Sequence, residues 1–510
     1  MTTTAERPAA AIPSGHKGFW LWDRKLYRYP KPPVRYSLLA LAVLSTIVLY
    51  IQLYALGGVS TLLSQELGIS FIFLVTMLAI TNLIGAFGSL AAGLGDRFGR
   101  ANMVIWGLLV IGILTAFVAP AVTDKYMLAV VLCVIGFIEG MLLVATPALV
   151  RDYSPQVGRA AAMGIWNVGP VAGSLIVAIV ASATLQHFDN SWTSQFVIAG
   201  IIGLVMFVIA LLFLKELSPE LRDQLMVDTK DSDLVEARAS RGQVEANLAH
   251  PFKQLLHADI IWPAIGFGTL LLLYFTLVGF SPVLYATGFG FNASDANGIA
   301  AWAWGANVVV TLLVGFFFDW SKVRKPWMIL GGILTIVFEL VLLFNMHNAL
   351  SFTQLSLIMA FMSGSFGFAA VAFYAAFTET IEARNPALTA TGLAIWGWII
   401  RIVATVSFLV IPYVVTSATT LLENAGKPAT PEVARAAANV ASEWQVWLWI
   451  CVAGVIVFML VTPLLRGPWS PRKARELLTQ HNREVAVELA KLRAGSGRQP
   501  GFGDDRIPDV

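Results

Sequence analysis

Glu139, Glu339 and Arg401 stand deep inside long apolar stretches of this 510-residue chain. A charge at the centre of a membrane helix costs roughly 2.5–3.5 kcal/mol on insertion scales, so such side chains are expected to be paired or functional. Their chemistry differs. An arginine offers a planar fork of donors that fits a carboxylate. A carboxyl kept out of water takes up a proton more readily than one at a surface. Charge is also concentrated in two short loops: Gly93-Leu94-Gly95-Asp96-Arg97-Phe98-Gly99-Arg100, and a counterpart from Gly315 through Asp319 to Lys322, Arg324 and Lys325. A carboxylate where a helix leaves the membrane can hold neighbouring arginines and face the positive end of another helix. The same loop at the same place in two halves points to a duplicated chain.

The elements that must position these groups follow from composition. The chain is 57% hydrophobic and 13% charged, against about a quarter charged in soluble proteins. The apolar residues come in runs near the roughly 20 that a helix needs to cross the hydrocarbon core. Twelve runs are expected to span: 37–60, 70–94, 101–121, 126–150, 159–183, 194–215, 260–285, 293–318, 326–346, 353–378, 387–414 and 446–465. Backbone groups in lipid must satisfy one another, so these are helices and the fold is an all-α membrane protein. The expected divisions are a tail (1–36), a six-helix half (37–215), a polar linker (216–259), a second six-helix half (260–465) and a tail (466–510). Within the linker, Ser218-Pro219-Glu220 reads as a helix start. The tail from Pro471 to Leu492 reads as a surface helix, and 494–510 as disordered.

An even number of spans puts both ends on one side. Of the 34 Lys and Arg, Lys125, Lys427 and Arg435 fall in odd-numbered connections and Arg401 deep within a run; the rest lie in the tails, in even-numbered connections or at the run ends that border them. The positive-inside rule therefore places both termini in the cytoplasm. In a bacterial cell this is the inner membrane. The first residues are polar and basic, without an apolar core close to the start, so no cleavable leader is expected. Cys133 and Cys451 lie within runs and read as small apolar residues. No Walker loop and no His/Cys cluster stands in the sequence, so no ATP drive, cofactor or metal is expected. The net charge of +3 reflects topology and carries no sign of a nucleic-acid partner.

A second echo supports duplication. Run five carries Gly164-Ile165-Trp166-Asn167, and run eleven carries Ala394-Ile395-Trp396-Gly397, at nearly the spacing of the paired loops. Equal span number and equal position fit two parallel halves.

With these features the chain resembles the major facilitator superfamily of secondary transporters. The family's loop between helices two and three reads Gly-x-Leu-Ala-Asp-Arg-x-Gly-Arg-Lys. Here Ala92 replaces the leading Gly and Ala101 the trailing Lys, around an intact Asp96-Arg97-Phe98-Gly99-Arg100. The second copy restores the Gly as Gly315. The resemblance covers about residues 37–465. It implies alternating access by rocking of two halves, with Asp96, Arg97, Arg100, Asp319 and Arg324 as gating residues. For Arg324, as for Lys325, topogenic charge is an equally good account.

The resemblance also places helices four and eleven at a central cavity. Arg401 is then expected to hold an anionic substrate, a carboxylate by preference, and Glu139 to carry a coupling proton; alternatively the two form a salt bridge. Glu339, on a peripheral helix, is equally well read as structural. Gln52, Tyr274, Asn167 and Asn307 are further candidate substrate ligands, with Tyr54 and Asn82 as lesser ones. In-span aromatics such as Trp302, Trp304, Trp396 and Trp398 are more often packing or interface anchors, and in-span amides often bridge helices. The drug-antiport motifs fit poorly: Gly136 stands at the Arg position of helix four and Glu139-Gly140 at its Gln-Gly pair. In helix five Gly169-Pro170 and Gly173 remain, while Ile165 and Ser174 replace the first and last Gly. The expected function is a proton-coupled carrier of a small organic anion, acting as a monomer in the lipid bilayer. The alternatives are a proton-coupled multidrug efflux antiporter and, from another class, a polytopic membrane enzyme.

Overall fold

The computed structural model describes residues 24–26, 30–91, 99–153, 166, 168–218, 255–384, 389–424, 430–476 and 479–480. Among them twelve helices are long and apolar enough to cross a membrane. We number them as spans: one Pro32–Gly58, two Phe71–Ser89, three Arg100–Ala121, four Lys125–Val150, five Gly169–Phe188, six Trp192–Phe213, seven Ala258–Phe289, eight Ala293–Val314, nine Lys325–Phe344, ten Phe352–Ile381, eleven Ile395–Val414 and twelve Pro431–Leu464. The number and order are those the apolar runs predict.

Span twelve starts well before the predicted 446. Thr430 caps it by accepting from the Val433 N–H at 3.3 Å, and Pro431 occupies the first turn. The Ala-rich segment ahead of residue 446 is thus a good helix former at a capped start. A short helix, Thr416–Glu423, precedes it. Glu443 of span twelve accepts from the Ser417 N–H at 2.7 Å and from the Ser417 hydroxyl at 2.8 Å, which ties the two into a hairpin. Span three changes from α-helix to a π turn at Leu114–Val118 and a 3₁₀ turn at Ala119–Ala121. Pro120 there lacks the N–H that a regular helix would use.

Packing follows an internal symmetry. In the first half, span two packs on four, one on five, three on six, one on six, three on four, and one on four. Adding six to each number gives the contacts of the second half: eight on ten, seven on eleven, nine on twelve, seven on twelve, nine on ten, and seven on ten. Between the halves, two packs on eleven and five on eight, and these pairs exchange under the same rule.

Each half has its own ionic ties on the side where spans one and seven begin. Arg100 pairs with Asp152 at 3.0 Å, Arg324 with Glu379 at 3.2 Å, and Asp259 with Arg384 at 2.7 Å and Arg466 at 3.2 Å. On the opposite side the halves meet directly. Asn297 Nδ2 donates to Gly58 O at 2.8 Å, and the Ser294 hydroxyl to Ser182 O at 2.7 Å. There Phe280 packs edge-on against Phe71 of one half and Phe408 of its own. The short helix Ser60–Glu66 touches Thr416–Glu423 across the same seam.

A two-stranded parallel ladder was not foreseen. Lys25–Leu26 pairs with Glu216–Leu217 just after span six. The predicted helix start at Ser218-Pro219-Glu220 lies outside the described residues from 219 onward.

Candidate functional site

Several polar residues near the middle of their spans gather where the halves meet. Close packing of spans two and four begins the arrangement. A Cβ on Gly140 would overlap the Gly85 carbonyl, and one on Gly85 would come within 3.0 Å of Gly136 O. Only glycines allow backbones this close. Glu139, between Gly136 and Gly140, is thereby brought near the seam with span eleven. Its side chain is buried, and Oε1 has no hydrogen-bond partner.

Arg401 approaches from the other half. Its Nη2 donates to Ser89 Oγ at 3.0 Å, and Nη1 reaches Asn82 O at 3.5 Å. These bonds leave other N–H groups of the fork unengaged. A buried unpartnered charge is costly, so these two contacts explain how an arginine is tolerated at this depth. Glu139 and Arg401 interact electrostatically without forming an ion pair among the described residues.

A wall of tyrosines completes the cluster. Tyr50 of span one lies within electrostatic reach of Glu139, Tyr274, Tyr374 and Arg401. Its ring is 5.3 Å from that of Tyr54. Tyr54 and Tyr274 share a 3.0 Å hydrogen bond between hydroxyls. Tyr274 packs against Trp304 at 5.6 Å and stacks on Phe366 at 5.9 Å, and Tyr374 meets Trp396 edge-on at 5.5 Å. Spans one, four, seven, ten and eleven thus place one carboxyl, one guanidinium and several aromatic hydroxyls around one locus. The arrangement can bind an ionic group, stack a ring and hold a proton.

Of the residues singled out from sequence, Arg401, Glu139 and Tyr274 come together here, as do Tyr54 and Asn82. Asn307 does not. It donates to Ser363 O at 2.7 Å and accepts from Thr311 at 3.2 Å, tying span eight to span ten inside one half. Gln52 is buried against Gly203 of span six, away from the cluster. Glu339 is fully buried on span nine, with both oxygens unpartnered. Asn167, Asp96 and Arg97 lie outside the described residues, as does the side chain of Asp319. Arg100 and Arg324 make the ion pairs given above.

Tyr50, Ser89, Tyr374 and Thr405 escaped the sequence reading. Two of them carry a helical signal. Tyr50 is four residues before Tyr54, and Thr405 four after Arg401, so each shares a face with a residue already singled out. Glu216 was also missed. It is 2% exposed and accepts from the N–H of Arg100 at 2.7 Å and of Ala101 at 3.3 Å. A carboxylate at the positive end of span three was foreseen in kind; among the described residues Glu216 is the group found there.

Comparison with known proteins agrees with this architecture. The family model described as Major Facilitator Superfamily matches residues 42–395, and the chain belongs to that family of transporters. Over 130 residues it is 34% identical to the fujikurins efflux protein of Gibberella fujikuroi, covering 25% of this chain and 28% of that one. It is 24% identical to the hexuronate transporter of Escherichia coli K12, covering 53% of this chain and 61% of that one. The chain therefore spans less than two-thirds of the length of these relatives. A solved bacterial homologue of the human lysosomal transporter Spinster superposes with a TM-score of 0.65 at 14% identity, over 86% of this chain and 100% of that one. That likeness is one of fold.

Proposed function

We propose that this transporter works by alternating access, couples to protons and carries a small organic anion, with a carboxylate held by Arg401. The observation that carries the reading is the position of Arg401, at mid-membrane between the halves and with donors of its fork unengaged. Bidentate carboxylate recognition is what that geometry suits. Glu139 is the proton carrier in this reading, buried in the same cluster and not consumed by an ion pair. The hexuronate relative, whose named substrate is a carboxylate, supports the reading. Asp96, Arg97, Arg100, Asp319 and Arg324 form the cytoplasmic gate, with both termini cytoplasmic in a bacterial plasma membrane and the protein acting as a monomer.

A ligand-induced thermal-shift screen of carboxylates on purified protein tests this. Carboxylates should stabilise the wild type, stabilise Arg401→Lys less, and leave Arg401→Ala unmoved. Equal stabilisation of wild type and Arg401→Ala would sink the reading.

A second reading, proton-coupled export of lipophilic compounds, is favoured by the tyrosine wall beside Glu139. Aromatic faces attract organic cations, and one relative is an efflux protein. Tetraphenylphosphonium in the same screen separates the two: stabilisation by it and not by carboxylates selects export.

A further inference from the structure

The guanidinium offered to an anion is held by the other half of the protein. Arg401 Nη2 donates to Ser89 Oγ at 3.0 Å. Ser89 Oγ in turn lies 3.1 Å from both Gly85 O and Gly140 O, and its hydrogen can go to either. Gly140 directly follows Glu139. A line of hydrogen bonds thus runs from span eleven, through Ser89 of span two, to the backbone of span four beside the buried carboxyl. Asn82 grips from the other direction. Its Nδ2 donates to Arg401 O at 3.3 Å and to Thr405 Oγ1 at 3.2 Å, while its own carbonyl faces Arg401 Nη1. Asn82 and Arg401 each stand near the midpoint of their helices, Phe71–Ala91 and Thr389–Val414.

We propose that Ser89 and Asn82 are positioning residues that hold Arg401 as the bolt of a latch between spans two and eleven, and that a substrate carboxylate draws the bolt by engaging the free donors of the fork and pulling the guanidinium off Ser89. The proposal rests on the anion reading above. A guanidinium at this depth must have partners at every stage. In this structure the Ser89 hydroxyl and the backbone carbonyl of Asn82 supply them. A carboxylate adds a full opposite charge and can accept two parallel bonds from the fork, so it outcompetes the neutral Ser89 hydroxyl. Once Ser89 is released, Asn82 carries the remaining side-chain hydrogen bonds between spans two and eleven among the described residues, and the halves are freer to rock. The latch also taxes binding, because part of the anion's affinity is spent displacing Ser89.

The prediction has a sign that a merely structural role for Ser89 lacks. Ser89→Ala should bind anions more tightly than wild type, by roughly three- to tenfold, while Ser89→Thr restores the wild-type affinity. Benzoate and glucuronate are the probes, titrated against full-length wild type, Ser89→Ala, Ser89→Thr, Asn82→Ala and Arg401→Ala. A second measurement needs no ligand. Ser37 and His257 are exposed at the starts of spans one and seven, one in each half. Cysteines at both, in a Cys133→Ser background with Cys451 buried, carry spin labels for inter-half distances. Ser89→Ala and Asn82→Ala should each broaden the ligand-free distance distribution relative to wild type. Unchanged distances in both variants, or weaker anion binding by Ser89→Ala, overturn the latch even where Arg401 proves essential for binding. Anion binding that survives Arg401→Ala, or that is absent from every protein, overturns the anion reading and with it the release step.

Discussion

The hydroxyls of Tyr54 and Tyr274 meet at 3.0 Å and join span one to span seven, two helices that hold equivalent places in the two halves. Around this bridge the rings of Tyr50, Trp304 and Phe366 close the aromatic side of the cluster. Removing either hydroxyl leaves the ring packing in place and takes away the bond alone. Tyr54→Phe, Tyr274→Phe and the double variant form a cycle whose coupling should be about 1 kcal/mol of unfolding free energy in detergent. Additive effects would mean that the two hydroxyls act independently.

Glu139→Gln keeps the shape of the side chain and removes its titration. In proteoliposomes, exchange of substrate across a membrane without a pH gradient should persist, whereas accumulation driven by a pH gradient should fall to the level of passive exchange. Undiminished pH-driven accumulation would remove Glu139 from the coupling step.

Glu216 accepts from the N–H groups of Arg100 and Ala101 at the start of span three. Glu216→Gln retains one acceptor but loses the charge that complements the helix end, for about 0.3–1 kcal/mol. Glu216→Ala leaves buried N–H groups without that acceptor, for about 1–3 kcal/mol. Thermal unfolding should therefore rank wild type above Glu216→Gln above Glu216→Ala. An alanine variant as stable as wild type would show that this contact contributes nothing.

Spans two and four touch through glycine, and a Cβ on Gly140 would meet the Gly85 carbonyl. Gly140→Val should force the helices apart, lower the folded yield and shift Glu139 relative to Arg401. Gly397, with nothing within 4 Å of an added Cβ, is the control, and Gly397→Ala should behave as wild type. Size-exclusion profiles of the two variants make the comparison, and equal yields would count against the close approach.

The apolar runs and the repeated charged loops were enough to read twelve helices, two halves and the family, because lipid leaves a chain this apolar no other way to satisfy its backbone. The start of span twelve was misread for a related reason. Thr430, Pro431 and the alanines that follow make a helix by capping and propensity, whereas a hydropathy pattern registers only the part that lipid requires. Charges buried in those runs were also visible from sequence, since few residues of that type occur there. Arg401 and Glu139 thus stood out one by one. Asn307 and Gln52 were further candidates, yet they face neighbours inside their own half.

Which polar residues share a site was decided only by the tertiary structure. Asn82 and Arg401 are far apart in the chain, and nothing local to either requires that they meet. Their contact depends on how spans two and eleven cross, and the nearness of Glu139 depends on the backbone approach that Gly85 and Gly140 permit. The sequence by itself determined which segments leave water and which side chains would be costly there. The three-dimensional packing chose the partners, because a helix in lipid has many apolar faces of similar energy and few polar contacts that select among them.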